Sequence, residues 1–197
     1  MKDVSLDTCV IDMAELVSRF HFPDRVWGYC VPCPNHGGKW SCPPFGFDVP
    51  ELLGRYKHAY LFGVKMTYDD ETRARADTKE KVLDTAVQLM RKANKDLQEL
   101  LRGIEADCPG SLAAAGGTCG ICDTCARPDG KPCRFPDKMR PSVESLGFDV
   151  SMITEELLGM KLLWFDKELP EYQTLVNALF TSERRDGIMD RKRSISI

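Results

Sequence analysis

The stretch TCGICDTCARPDGKPCRFP, opening at Thr118, places Cys119, Cys122, Cys125 and Cys133 close together, the first three on a strict three-residue step. A second stretch, YCVPCPNHGGKWSCPPF, places Cys30, Cys33 and Cys42 with two and then eight residues between them. Seven of the nine cysteines therefore fall into two tight groups, and nothing else in the sequence limits the fold as strongly. Both stretches are rich in Gly and Pro and carry little apolar periodicity, so they need something to hold them. Burial as ordinary small hydrophobes does not call for neighbours such as Gly, Asp and Arg. A disulfide framework would use an even number of cysteines and spread them over the fold. Metal-binding loops closed by thiolates account best for the pattern.

The expected compartment agrees. The N-terminal run MKDVSLDTCVIDMAELVSRF carries acids among its apolar positions and lacks the uninterrupted apolar core of a signal peptide. No run approaches the roughly 18 apolar residues of a membrane span. The chain is expected in the cytoplasm, where thiols bind metal more readily than they pair. A net charge of −3, with no basic stripe outside the C-terminal tail, argues against nucleic acid as a partner. No membrane partner is expected either. Hydrophobic residues make up 43% of the 197, enough for a packed core without help from a metal.

In the downstream group, Cys-x-x-Cys puts two thiolates on one tight turn, and Cys125 extends the same curl. Pro128, Gly130 and Pro132 let the chain fold back to Cys133. Such runs, completed by a later cysteine, are typical of iron–sulfur ligation. Structural zinc more often uses two separated Cys-x-x-Cys knuckles. The spacing favours [4Fe-4S], with zinc as the alternative. Arg127, Arg134, Lys138 and Arg140 are candidates to offset the charge of thiolate-bound metal. The upstream group offers three thiolates and no fourth ligand in its own motif. His36, Cys108 or Cys9 are the candidates for that place, or one iron stays open for a substrate. Trp40 is a candidate shield against water.

The rest of the chain reads as an α/β domain (α+β is the variant). Val10, Met13, Ala14, Val17 and Phe20 recur at helical spacing. PELLGRYKH is a short helix, HAYLFGVKMTY a buried strand, and 73–104 a long helix with one apolar face. GSLAAAGG is a short strand, RPSVESLGFDV and MITEELLGMKLLW are helical, and YQTLVNALF is a last strand. One domain over 1–197 is expected, with cysteine loops at 27–48 and 108–141 and a basic tail at 183–197. Its expected architecture is a small mixed sheet, the long helix across it, and both cysteine loops gathered at one end.

The two groups together, CVPCPNHGGKWSCPPF and then CGICDTCARPDGKPCRFPDKMRPSVESLGFDV, resemble an uncharacterised family of cysteine-rich predicted metal-binding proteins of anaerobic bacteria and archaea. The resemblance runs from about Cys30 to Val150. It implies Cys30, Cys33, Cys42, Cys119, Cys122, Cys125 and Cys133 as the ligand set and leaves the reaction open. Three functions follow as expectations. One is an iron–sulfur protein with two [4Fe-4S] clusters that exchanges electrons with a redox partner protein or serves as its accessory protein. Another is an enzyme using an open cluster iron on a small-molecule substrate. The third is a zinc-stapled binding module. No G-x-G-x-x-G and no G-x-x-x-x-G-K-[ST] supports a nucleotide enzyme.

Overall fold

The computed structural model describes residues 2–164 and 167–189. Its elements run β1 (Asp3–Asp12), α1 (Met13–Phe20), α2 (Pro23–Cys30), α3 (Val49–Leu53), β2 (His58–Thr67), α4 (Asp70–Arg75), α5 (Lys79–Ala106), β3 (Leu112–Ala114), α6 (Val150–Leu157) and β4 (Tyr172–Thr181). The strands form one sheet in the order β1-β2-β4-β3. Every ladder between these strands is antiparallel, where a mixed sheet was expected. The parallel contact is an isolated bridge between Ala115 and Ser142, outside the strands.

Period-two alternation sorts the strand residues onto two faces. Tyr60, Phe62, Val64 and Met66 of β2, with Leu175 and Leu179 of β4, meet Ala93, Leu97, Leu101 and Ile104 of α5. Ala59 and Leu61, with Val176, Ala178 and Phe180, face the other way, onto Leu16 and Phe20 of α1 and Ile153 of α6. The result is a mixed α/β architecture with the long helix on one side of the sheet, as read from the sequence. Each fully buried Leu or Phe here contributes about 1.5–3 kcal/mol relative to exposure. Gly63 has a clear packing reason. A Cβ there would lie 2.4 Å from Met160 Cε and 2.8 Å from Leu158 Cδ1.

Five local expectations give way. Val10 belongs to a strand, and the first helix starts only at Met13. Val10 fits both periods, and ten residues of pairing with β2 decide between them. The first residues of the expected 27–48 loop belong to helix α2, which runs to Cys30 with Pro23 in its first turn. The 73–104 helix starts afresh at Lys79, because Thr78 is extended and its side chain caps the Lys81 N–H. The RPSVESLGFDV segment turns instead of forming a helix. Ser142 Oγ accepts from the Ser145 N–H at 3.0 Å, and Ser145 Oγ donates to the Ser142 carbonyl at 2.7 Å. Local serine bonds of this kind compete with the helical ladder. MITEELLGMKLLW is helical only to Leu157, with Gly159 at φ +64° just beyond.

Positions 190–197 of the expected basic tail lie outside the described residues. No helix among the described residues is long and apolar enough to cross a membrane.

Candidate metal centre

The long helix holds the downstream cysteine loop at both ends. Asn94 Nδ2 donates to the Thr118 carbonyl at 3.0 Å, just before Cys119, and Gln98 Nε2 donates to Asn94 Oδ1 at 2.8 Å. At the far end of the loop, Arg140 Nε donates to both Glu105 oxygens at 2.8 Å, and its Nη2 lies 2.7 Å from Oε2. Glu105 Oε1 also accepts from the Ala113 N–H of β3 at 3.0 Å. Polar residues of α5 thus grip the loop. Asn94 and Gln98 are buried.

Between these ends the chain curls around a small cavity. Cys119, Cys122, Cys125 and Cys133 all line it, with Ile121, Phe135 and Met139 and with Lys39, Trp40 and Ser41 from the upstream loop. Its volume is ≈ 20 Å³, about the room of one water molecule. Burial, and then the nearby Cys133 and Cys122 sulfurs, push the Cys119 thiol up, opposed by the Ile121 N–H and Arg102. Cys125 goes the other way. Burial opposes ionisation there, but the N–H groups of Arg127, Trp40 and Ala126 and the charge of Lys39 outweigh it and hold the thiol below its ordinary value. Hydrogen bonds to the charged form are what favour a thiolate.

The basic residues expected to offset sulfur charge are largely used elsewhere. Arg127 Nη1 donates at 2.6 Å to the carbonyls of Lys39 and Cys42, and its guanidinium lies 4.8 Å from the Trp40 ring centroid. Arg134 donates to the Thr124 carbonyl. The Arg127 contacts tie the two cysteine loops to each other. Ser41 adds another tie, accepting the Cys119 N–H at 3.0 Å through a buried hydroxyl. Trp40 Nε1 donates to the Lys131 carbonyl at 3.2 Å.

In the upstream loop, α2 delivers Cys30 in its last turn. Tight turns follow, with the Cys33 N–H on the Cys30 carbonyl at 3.0 Å and the Cys42 N–H on the Lys39 carbonyl at 3.1 Å. Burial raises the Cys30 thiol, and Glu144 and Cys33 raise it further. Burial also raises Cys42; Ser41 opposes this, and Cys33, Cys30 and Glu144 add to it. The three thiols therefore act on one another, and Glu144 acts on Cys30 and Cys42.

Of the places named for a fourth upstream ligand, His36 lies in the loop itself, its N–H on the Cys33 carbonyl at 3.0 Å. His36 is exposed. Cys108 is buried in the cluster under α5, and Cys9 packs against the opposite face of the sheet. Sequence reasoning did not single out Glu144. A lone acid in the otherwise small and apolar run SVESLGF was the available signal. All nine cysteines are free thiols. Among the described residues, no three His, Cys, Asp or Glu side chains are set so as to hold one metal ion.

The donor set nonetheless has the chemistry of a metal site: four thiols on one pocket, and three more beside a buried carboxyl. The family described as predicted metal-binding protein (DUF2284) matches residues 9–179. Comparison with curated proteins and with solved structures finds no match.

Proposed function

The chain belongs to the DUF2284 family of predicted metal-binding proteins, and we propose that it carries two thiolate-ligated [4Fe-4S] centres and exchanges electrons with a partner protein in the cytoplasm. The observation that carries this reading is the set of four cysteines around one pocket, with N–H groups directed at Cys125. Thiols that face a common pocket without meeting at one point suit a cluster with four separate corners better than one tetrahedral zinc. A four-iron cube exceeds the present pocket, so loading it moves the thiols outward. The Gly- and Pro-containing segment between Cys125 and Cys133 gives the loop that freedom. Bound there, an iron–sulfur cluster supplies one-electron redox chemistry.

The chain's own residues do the rest. Ile121, Phe135 and Met139 wall the pocket with apolar surface, and the N–H donors stabilise sulfur charge. Arg127 and Ser41 hold the two centres next to each other, which gives electrons a short path. Tyr29, Val31 and Phe47 of the upstream loop and Phe135 of the downstream loop are large exposed hydrophobics. Apolar surface beside both centres supports docking of a redox partner.

One observation favours a second reading, an enzyme. A groove of ≈ 710 Å³ runs between α5 and the downstream loop, lined by Lys39, Arg91, Lys92 and Lys95 and reaching Cys119 and Cys122. An anionic small substrate fits its charge.

Metal and acid-labile sulfide content, measured on protein purified without oxygen, tests both readings. About eight irons and eight sulfides per chain, bleached by reductant, is the expected result. Zinc without sulfide would overturn both redox readings and leave a stapled binding module.

A further inference from the structure

The turn that carries Glu144 is pinned from four directions. His21 Nε2 lies 2.9 Å from the Leu146 carbonyl, and Trp27 Nε1 donates to the Ser145 carbonyl at 3.0 Å. The Val143 N–H reaches the Ala115 carbonyl at 2.9 Å, and the Ser142 N–H reaches the Ser41 carbonyl at 3.3 Å. Two of these anchors belong to the upstream cysteine group. Trp27 precedes Cys30 on α2 by just under one turn, and Ser41 is the neighbour of Cys42. The turn is therefore held against both arms of the three-thiol loop.

Inside it, burial pushes the Glu144 carboxyl up, opposed by its own N–H, the Ser142 hydroxyl and the Gly117 N–H, which favour the charged form. Its Oε2 is sealed from solvent with no hydrogen-bond partner, although other parts of the residue reach the surface. A buried carboxylate oxygen without a partner is costly and calls for an explanation. This one sits where its charge acts on both Cys30 and Cys42. Once ionised, Cys30, Cys42 and this carboxylate would repel one another, and a metal centre that draws them and Cys33 together would relieve that repulsion.

We infer that Glu144 is the fourth protein ligand of the upstream centre, binding metal through Oε2 beside Cys30, Cys33 and Cys42. The inference rests on the proposed two-centre reading and completes it. The carboxylate is the hard donor of the set, so the metal position it holds is the one most open to exchange.

The test compares wild type, Glu144→Gln and Glu144→Cys, each purified without oxygen and challenged with a chelator. Iron, zinc and sulfide are counted, paramagnetic spectra recorded, and helix content checked by circular dichroism. The glutamine variant is expected to give up about one metal ion per chain, with release about tenfold faster or more. Its upstream spectrum should change while its helix content stays. The cysteine variant is expected to keep the full complement with an altered signature. A glutamine variant with wild-type metal content, release rate and spectrum overturns the inference. So does equal loss from both variants, which would make Glu144 a packing element. A wild type without metal at the upstream thiols overturns the two-centre reading itself, a different outcome from either.

Discussion

Cys125 sits among backbone N–H groups and beside Lys39, whereas Cys30 and Cys42 face burial, one another and a carboxyl. Both groups are short Cys-x-x-Cys loops on the same side of the fold, and the sequence makes them look alike. At Cys125 the downstream loop is prepared for negative sulfur by backbone N–H groups, one of them Trp40's from the upstream loop. In the upstream loop burial and neighbouring negative charge favour the protonated thiols until a bound cation offsets that charge. Preparation by N–H donors lets sulfur ionise before metal arrives; gathered charge makes ionisation and binding a single event.

The largest expected effect removes one side of this comparison. Cys119→Ala or Cys122→Ala should abolish the downstream metal, while helix content survives because α5 packs on the sheet without it. Metal analysis and circular dichroism on the same sample check this. Unchanged metal in both variants would sink the downstream site. Next comes the converse, a change in the apolar core away from either loop. Leu97→Ala should cost about 2–5 kcal/mol in denaturant unfolding with metal per folded chain unchanged. Metal loss in proportion to destabilisation would mean that loops and core are not separable.

A smaller effect should reach both loops at once. Arg127→Ala leaves the Lys39 and Cys42 carbonyls without their charged donor, at a cost of about 1.5–3 kcal/mol. Chelator-driven release should speed up at both centres. Acceleration at the downstream centre alone would deny that Arg127 couples them.

The smallest effect concerns pH in the metal-free protein. The thiols of Cys30, Cys42 and Cys119 are raised, so their contribution to stability is present below the ordinary thiol value. It is lost as pH rises through their raised values. Cys125 is lowered, so its contribution is present above the ordinary value and is lost as pH falls through its lowered one. Alkylation followed by mass spectrometry, from neutral to alkaline pH, should label Cys125 first and buried Cys42 late. The reverse order would contradict the electrostatic contrast.

Much of the fold was legible because its signals are local. The continuous apolar and aromatic run HAYLFGVKMTY is buried on both faces, and the 3.6-period face of α5 buries one side against it. The cysteine groups were legible for the same reason, since Cys-x-x-Cys spacing is a property of one turn. Val10 misled because a single apolar residue serves two periods. RPSVESLGFDV misled because serine hydroxyls can replace backbone bonds without altering the apolar pattern.

By itself, then, the sequence determined the sulfur-rich loops, the long amphipathic helix and the strands beside it, all of them patterns within a few consecutive turns. The tertiary structure decided what surrounds each sulfur. Arg127, Ser41, Asn94, Glu105 and Glu144 act on residues far from them along the chain. The physical reason is that hydrogen bonds and charges act through space, so their partners are settled only when the sheet and α5 bring distant segments together.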